Sequence, residues 1–315
     1  MERTETFTQL TGFGRPFGLA IDGVGRFYIC DMDLHSVARL SPDLAQVSWL
    51  ATDGTGWMSA EAVKAGTAAR ARPRKPQLLN GPHSVAVTDT GAAWVTTYYT
   101  PGLHIIDKDG RHRETFTSLG DTSLAGPATA KLDRAGRLLI TEFSLHCVLI
   151  TDRAGNKHGA LGSGARDGLV PHMKFSAGST QGAFDRPHMT TELADGSYVV
   201  ADTWNHRLQL YDTNFIWRGW LGAGCESWCD DARVSAAGSG PGWLSAPVAV
   251  GAAPDGRFIV TDWGNNRLIW YDADGSLLSV KADLGLQKPY DAQILGSQMV
   301  VADAHNGRVL FNKMI

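Results

Sequence analysis

Charged side chains are scarce in this sequence. Asp, Glu, Lys and Arg make up 19% of its 315 residues, and 29 basic against 32 acidic groups leave a formal net charge of -3. A chain that neutralises nucleic-acid phosphates carries a basic face, so no nucleic-acid partner is expected. Long hydrophobic runs are also missing. No stretch of about 18 apolar residues occurs, and the opening MERTETFTQL has no basic segment followed by an apolar one, so no membrane partner and a cytoplasmic location are expected. Cysteine is rare too, at positions 30, 147, 225 and 229, too few for a disulfide framework. The spacing of Cys225 and Cys229 in CESWC is not the CxxC of zinc sites. Two loop thiols is the simplest reading, with pairing or a soft metal as alternatives.

Helical periodicity is lacking as well. Only SAEAVKAGTAARAR at 59–72 reads as an amphipathic helix, which excludes a βαβ succession. The basic cluster around it, Lys64, Arg70, Arg72, Arg74 and Lys75, reads as a solvated helix face. Glycine is plentiful: 36 residues, spread in turn-like dipeptides, punctuate the chain into many short strands.

Those strands repeat. RPFGLAIDGVGRFYICDMD, GPHSVAVTDTGAAWVTTYY, GPATAKLDRAGRLLITEFS, RPHMTTELADGSYVVADTW, APVAVGAAPDGRFIVTDWG and KPYDAQILGSQMVVADAHN share one plan. Each starts at a proline, at 16, 82, 127, 187, 247 and 289. A polar residue follows the second apolar run 15 positions later (Asp31, Thr97, Glu142, Asp202, Asp262) or 14 later (Asp303). A fourth strand candidate ends each unit except the sixth, and TETFTQLTG at the N-terminus has the missing form. The expectation is an all-β fold in one domain over 1–315: a six-bladed β-propeller of four-stranded blades, closed by the N-terminal strand pairing into the last blade. The long links 51–81, 163–186 and 223–246 are expected to cover one mouth of the central channel.

VADTWNHRLQLYD at 200–212 and VTDWGNNRLIWYD at 260–272 resemble the NHL repeat, with its Asp, Asn-His or Asn-Asn, and Arg. The resemblance implies a structural role for His35, His146 and His206, and for the pairs Asp202–Arg207 and Asp262–Arg267. Unit two departs from it, with Thr97 for the acid and no arginine. Unit three keeps Glu142 but has Cys147 in the arginine position, which leaves Glu142 a candidate for proton or metal chemistry.

The residue after each proline is expected at the channel mouth. In order these are Phe17, His83, Ala128, His188, Val248 and Tyr290, and the polar three fall on alternate blades, so they can converge on one point. Imidazoles hold divalent transition metals and also carry protons. PHSVAV at 82–87, RPHMTTEL at 186–193 and KPYDA at 288–292 resemble the peptidyl-hydroxyglycine amidating lyases, six-bladed propellers whose zinc is held by three histidines in P-H motifs on alternate blades. The resemblance implies His83 and His188 as ligands of a divalent metal, zinc foremost. Tyr290 stands where the third histidine would be, leaving a His-His-Tyr site, a site completed by Asp291 or water, or no metal at all.

Tyr98, beside Thr97, is a candidate hydrogen-bond donor to a developing oxyanion, and Tyr290, Glu142 and Asp291 are the other candidate catalytic groups. Trp204 and Trp263, with Phe17, are expected to face a small-molecule substrate, and Trp57, Trp228 and Trp243 in the long links to be exposed on the same face. Glycine clusters such as GAGCESW open no helix, so no nucleotide cofactor is expected. The functional expectation is a small-molecule enzyme of lyase or cyclase type, monomeric or a weak homodimer, with His83 and His188 binding metal or sharing acid/base duty. The alternatives are a non-catalytic NHL-type binding propeller and a lactonase-like metal hydrolase.

Overall fold

The computed structural model describes residues 7–51, 53–59, 78–171, 175–295 and 298–313. The candidate helix beyond Ser59 and the basic cluster at 64–75 lie outside them. Six antiparallel sheets follow one another along the chain, each running outward from an inner strand that begins at or just after the repeat's proline. The inner strands are Pro16–Ile21, Pro82–Val87, Pro127–Leu132, Met189–Glu192, Pro247–Ala252 and Pro289–Leu295. This is a six-bladed propeller. The sixth sheet takes its outer strand from the other end of the chain, where Phe7–Thr11 pairs antiparallel with Arg308–Lys313. Blade one carries a fifth strand, Trp57–Ser59, beyond the expected four.

The second strand is buried from end to end in blades one to five, as in Phe27–Asp31, Leu138–Glu142, Tyr198–Asp202 and Phe258–Asp262, and in blade six after its first residue, Gln298. Both faces of each pack against a neighbouring blade, which is why these segments read as unbroken apolar runs rather than alternating ones. The outermost strand of blade five, Leu277–Lys281, alternates between half-buried and exposed, whereas that of blade four, Trp217–Leu221, is buried but for Arg218. Blades sit close at the axis. A Cβ on Gly18 would come within 2.6 Å of Ser84 Cα, and one on Gly251 within 2.2 Å of the Ala292 carbonyl oxygen.

Two expectations are corrected. The links 163–186 and 223–246 do not lie over the mouth along their length, because their opening residues pair at the outer edges of the blades: Val170 with Ala160 and Asp167 with Ile216 in the first, Cys229 with Trp220 in the second. Only their last residues reach the axis. Cys225 and Cys229 are not two loop thiols but a disulfide, their Cα atoms 6.4 Å apart. Cys30 and Cys147 are buried and free. No helix among the described residues is long and apolar enough to cross a membrane.

Candidate functional site

The acid that ends each second strand ties down the loop entering its own blade. Asp202, Asp262 and Asp303 each accept one backbone N–H, from Asp185, Ser245 and Gln287, and each also takes the Nε of an arginine five residues on, Arg207, Arg267 or Arg308, at 2.6–2.8 Å. Asp31 and Glu142 lack that arginine. They compensate with further backbone donors: Gly14, Arg15, Asp33 and Leu34 for Asp31, and Ala125 and Gly126 among those for Glu142. Burial pushes the Glu142 carboxyl up from its ordinary value and these N–H groups oppose the shift. Glu142 is therefore occupied with its loop and not free at the mouth, contrary to the expectation.

A second set of contacts joins neighbouring blades. The Nδ1 atoms of His35, His146 and His206 accept the backbone N–H of Gly81, Arg186 and Ala246, each at 3.0 Å, and Asn266 Oδ1 accepts that of Lys288 at 2.8 Å. Each donor directly precedes a proline and has a positive φ, from 47° to 68°. Such a backbone is costly for non-glycine residues and persists only where contacts impose it. The latch turns the chain so that the residue after the proline enters the mouth. In this way His35 sets His83, His146 sets His188, and Asn266 sets Tyr290.

At the mouth the three polar residues meet. Ring centroids are 5.0 Å apart for His83 and Tyr290, 5.9 Å for His188 and Tyr290, and 6.2 Å for His83 and His188. The Ala128 carbonyl oxygen, 2.6 Å from His83 Nδ1, can only accept, so Nδ1 carries the hydrogen and Nε2 offers its lone pair. Tyr290 fills that lone pair, its hydroxyl donating to Nε2 at 2.8 Å. Phe17 lies stacked on the Tyr290 ring at 3.7 Å and 3°, and fixes the phenol's plane. Tyr98 stacks beside His83 at 5.7 Å, on the solvent side.

His188 is oriented by Thr203. The Thr203 hydroxyl donates to the Pro247 carbonyl at 2.7 Å, so His188 Nδ1, 3.0 Å from that hydroxyl, is the donor to it. Its Nε2 then carries a lone pair that no side chain among the described residues fills. Burial lowers the pKa of His188 to about 3, with His83 nearby adding to the effect and a backbone hydrogen bond to Arg186 opposing it, and burial together with the Arg15 charge lowers His83 to about 4. Burial raises the Tyr290 phenol well above its ordinary value. All three are neutral near pH 7.

A cavity of about 540 Å³ opens above this cluster. His188 and Tyr290 lie on its wall with Phe17, Phe143, Trp204 and Trp263. The two expected tryptophans are there. Trp57, Trp228 and Trp243 are not: Trp57 packs against Tyr28 and Arg39 in blade one, Trp228 against Phe258, and Trp243 against the glycines of its own link. Asp291 is absent as well. It is fully buried and turned away, accepting from Leu19 N–H at 2.9 Å and Gln293 Nε2 at 2.6 Å, with Lys131 at 3.7 Å. Thr203, Phe143, Arg186 and Lys288 were not anticipated. Thr203 and Phe143 stand one position after the acid, as do Tyr98 and Trp263, so the repeat register places all four in one ring.

The donor set does not fit a three-ligand cation as it stands. Tyr290 occupies the one lone pair His83 has left, its phenol is held in the protonated form, and no group of three His, Cys, Asp or Glu among the described residues is placed to hold a metal.

No protein-family model and no curated protein matches the sequence. Solved structures share the fold. Virginiamycin B lyase from Staphylococcus aureus, in a catalytically inactive form with quinupristin, superposes with a TM-score of 0.60 at 12% identity, over 98% of this chain and 99% of that one. A streptogramin B lyase gives 0.59 at 11% identity, over 98% of each chain. A Bacteroides thetaiotaomicron protein of unknown function gives 0.63 at 13% identity, over 98% of this chain and 76% of that one. At such identities the likeness shows the propeller and nothing finer.

Proposed function

We propose that the protein is an enzyme of lyase or cyclase type that acts on a small molecule in the mouth of the propeller, by acid/base chemistry. The observation that carries this is the placement of the His188 imidazole, its Nε2 filled by no side chain among the described residues, and the Tyr290 phenol, their ring centres 5.9 Å apart, on the wall of one aromatic cavity. His188 takes a proton from the substrate. Tyr290, turning its hydroxyl from His83 to a substrate oxygen, supplies one; the cycle closes when His188 gives its proton to solvent and the phenolate takes one from solvent, its hydroxyl then returning to His83. The P-H motifs shared with the amidating lyases, and lyases among the propellers of like fold, support this reading. No step is assigned to a metal, since the donors present do not fit one.

A second reading is favoured by one fact: an imidazole with a pKa of about 3 is a weak base. On that reading the mouth binds a hydrogen-bond donor without turnover. One experiment separates the two. A panel of lactones, cyclic depsipeptides and 2-hydroxy acids is incubated with the protein and with His188→Gln and Tyr290→Phe, and consumption is followed by mass spectrometry. Consumption by the parent protein, lost in both variants with the fold intact, supports the enzyme. Equal consumption by all three, or binding of panel members without consumption, overturns it.

A further inference from the structure

The cavity wall holds no carboxylate, although acids outnumber bases in the chain. Every acid that ends a second strand near the mouth is occupied by backbone N–H groups or arginine, as described above. Cations, in contrast, stand over the aromatic wall. Lys288 Nζ lies 4.0 Å from the Trp263 ring centre, and the Arg186 guanidinium lies 5.0 Å from that of Trp204 and 5.5 Å from that of Phe143. Neither has an acidic partner among the described residues. Arg15, the third cation, is paired with Asp33. Trp204 is 52% exposed, an unusual state for so large an apolar ring in a folded chain.

We propose that the mouth selects a planar aromatic anion, its ring held on Trp204 and Trp263 and its negative group met by Lys288, with Arg186, over Trp204 and Phe143, adding to the field. The substrate class follows from the wall: flat π-faces for the ring, and cations without an acidic partner beside a wall that itself holds no carboxylate for the charge. The inference rests on the mouth being the ligand site, and it deepens the catalytic reading. A negative charge brought beside His188 favours its protonated form, and so restores basicity that burial removes.

The test reads binding alone, so it succeeds or fails independently of turnover. Isothermal titration is carried out with 2-naphthoate, its uncharged isostere 2-naphthamide, and the non-aromatic cyclohexanecarboxylate. The expected result is 2-naphthoate bound about tenfold or more tightly than either of the others, with the preference falling as salt is added. Lys288→Gln and Arg186→Gln each weaken 2-naphthoate several-fold and leave 2-naphthamide unchanged. Arg257→Gln, the same charge change on a remote exposed arginine, alters neither. Equal affinity for acid and amide, equal affinity for the two acids, an unchanged double variant, or no binding of any probe at millimolar concentration overturns the proposal.

Discussion

The Tyr290 hydroxyl reaches from blade six across blade one to donate to His83 Nε2 in blade two, at 2.8 Å. The bond closes over Phe17, whose ring lies parallel to the phenol. Tyr290→Phe removes the donor and leaves a buried imidazole acceptor unpaired, while the ring stack survives. A loss of about 1–3 kcal/mol in unfolding free energy is expected. Turnover, once a substrate is in hand, falls by far more than that stability loss explains. Denaturant melts of the two proteins beside their rates check both parts; an unchanged midpoint means that the bond contributes nothing.

Acid acts on the same cluster. Buried His83 and half-buried His188 in that cluster, and buried His104 outside it in blade two, are neutral, with pKa values lowered to about 4, 3 and 4 against about 6.5 in the unfolded chain. A lowered folded pKa means the unfolded state binds protons first. The stability is complete above pH 6.5 and is lost as pH falls from there toward 4 and 3, for His83 by roughly 3 kcal/mol in total. Melting temperatures between pH 8 and pH 4 check the slope, and His83→Asn, which keeps a donor for the Ala128 carbonyl, is expected to flatten it. A parent protein equally stable at pH 7.5 and pH 4.5 contradicts this account.

The six-fold repeat was legible because each proline and acid keep a fixed interval, and a propeller has few other ways to use that interval. The same register brought His83, His188 and Tyr290 to one mouth. What it left hidden is physical. Glu142 looked free because its arginine is missing, but a carboxylate can equally satisfy itself on two backbone N–H groups, and sequence does not display those. The opening residues of the long links carry no strand pattern, so their pairing at the outer edges of the blades could not be read. Arg186 and Lys288 precede their prolines as ordinary surface cations would, and only the fold sets them above tryptophans.

The latch from His206 to Ala246 is expected to rank its substitutions by two separate needs, a tolerance of φ 54° and an acceptor for the Ala246 N–H. Asn meets both, as Asn266 does one blade on. Gly meets the first alone, and Ala meets neither. Denaturant midpoints of the three variants should fall in the order Asn, Gly, Ala, with the last about 1–3 kcal/mol below the parent. Ala equal to Asn would mean that the inter-blade bond is idle.

Asp202 and Arg207 form a pair with almost no contact with water, 0% and 2% exposed. Asp202 also holds Asn205 and Gln209, while Arg207 reaches the Thr180 and Ala183 carbonyls. Asp202→Ala strands a buried guanidinium and is expected to cost about 3–5 kcal/mol. The exposed pair Arg257–Asp255 supplies the contrast. Its removal by Asp255→Ala should cost less than about 1 kcal/mol. Thermal melts of both variants decide whether burial, rather than the count of ion pairs, sets the value.

Ring closure concentrates its risk in one strand. Phe7–Thr11 covers the edge of Arg308–Lys313 over five residue pairs, and Arg308 Nη1 reaches Gln9 Oε1 at 3.1 Å. Leu10 and Phe7 also pack into two separate core clusters, one shared with blade one and one with blade five. Removing residues 1–11 therefore does two things at once: it bares a row of unpaired backbone groups and withdraws apolar contacts from both neighbours of the last blade. An unpaired edge templates association with another chain. The truncated protein is expected to melt at lower temperature and to form concentration-dependent oligomers in light scattering behind size exclusion. A synthetic peptide of residues 5–13, added in excess, should return it to the size of the parent protein by pairing in place of the lost strand. A truncated chain that stays monomeric with an unchanged melt would show that the last blade is stable with three strands, and that the N-terminal segment decorates the ring rather than closing it.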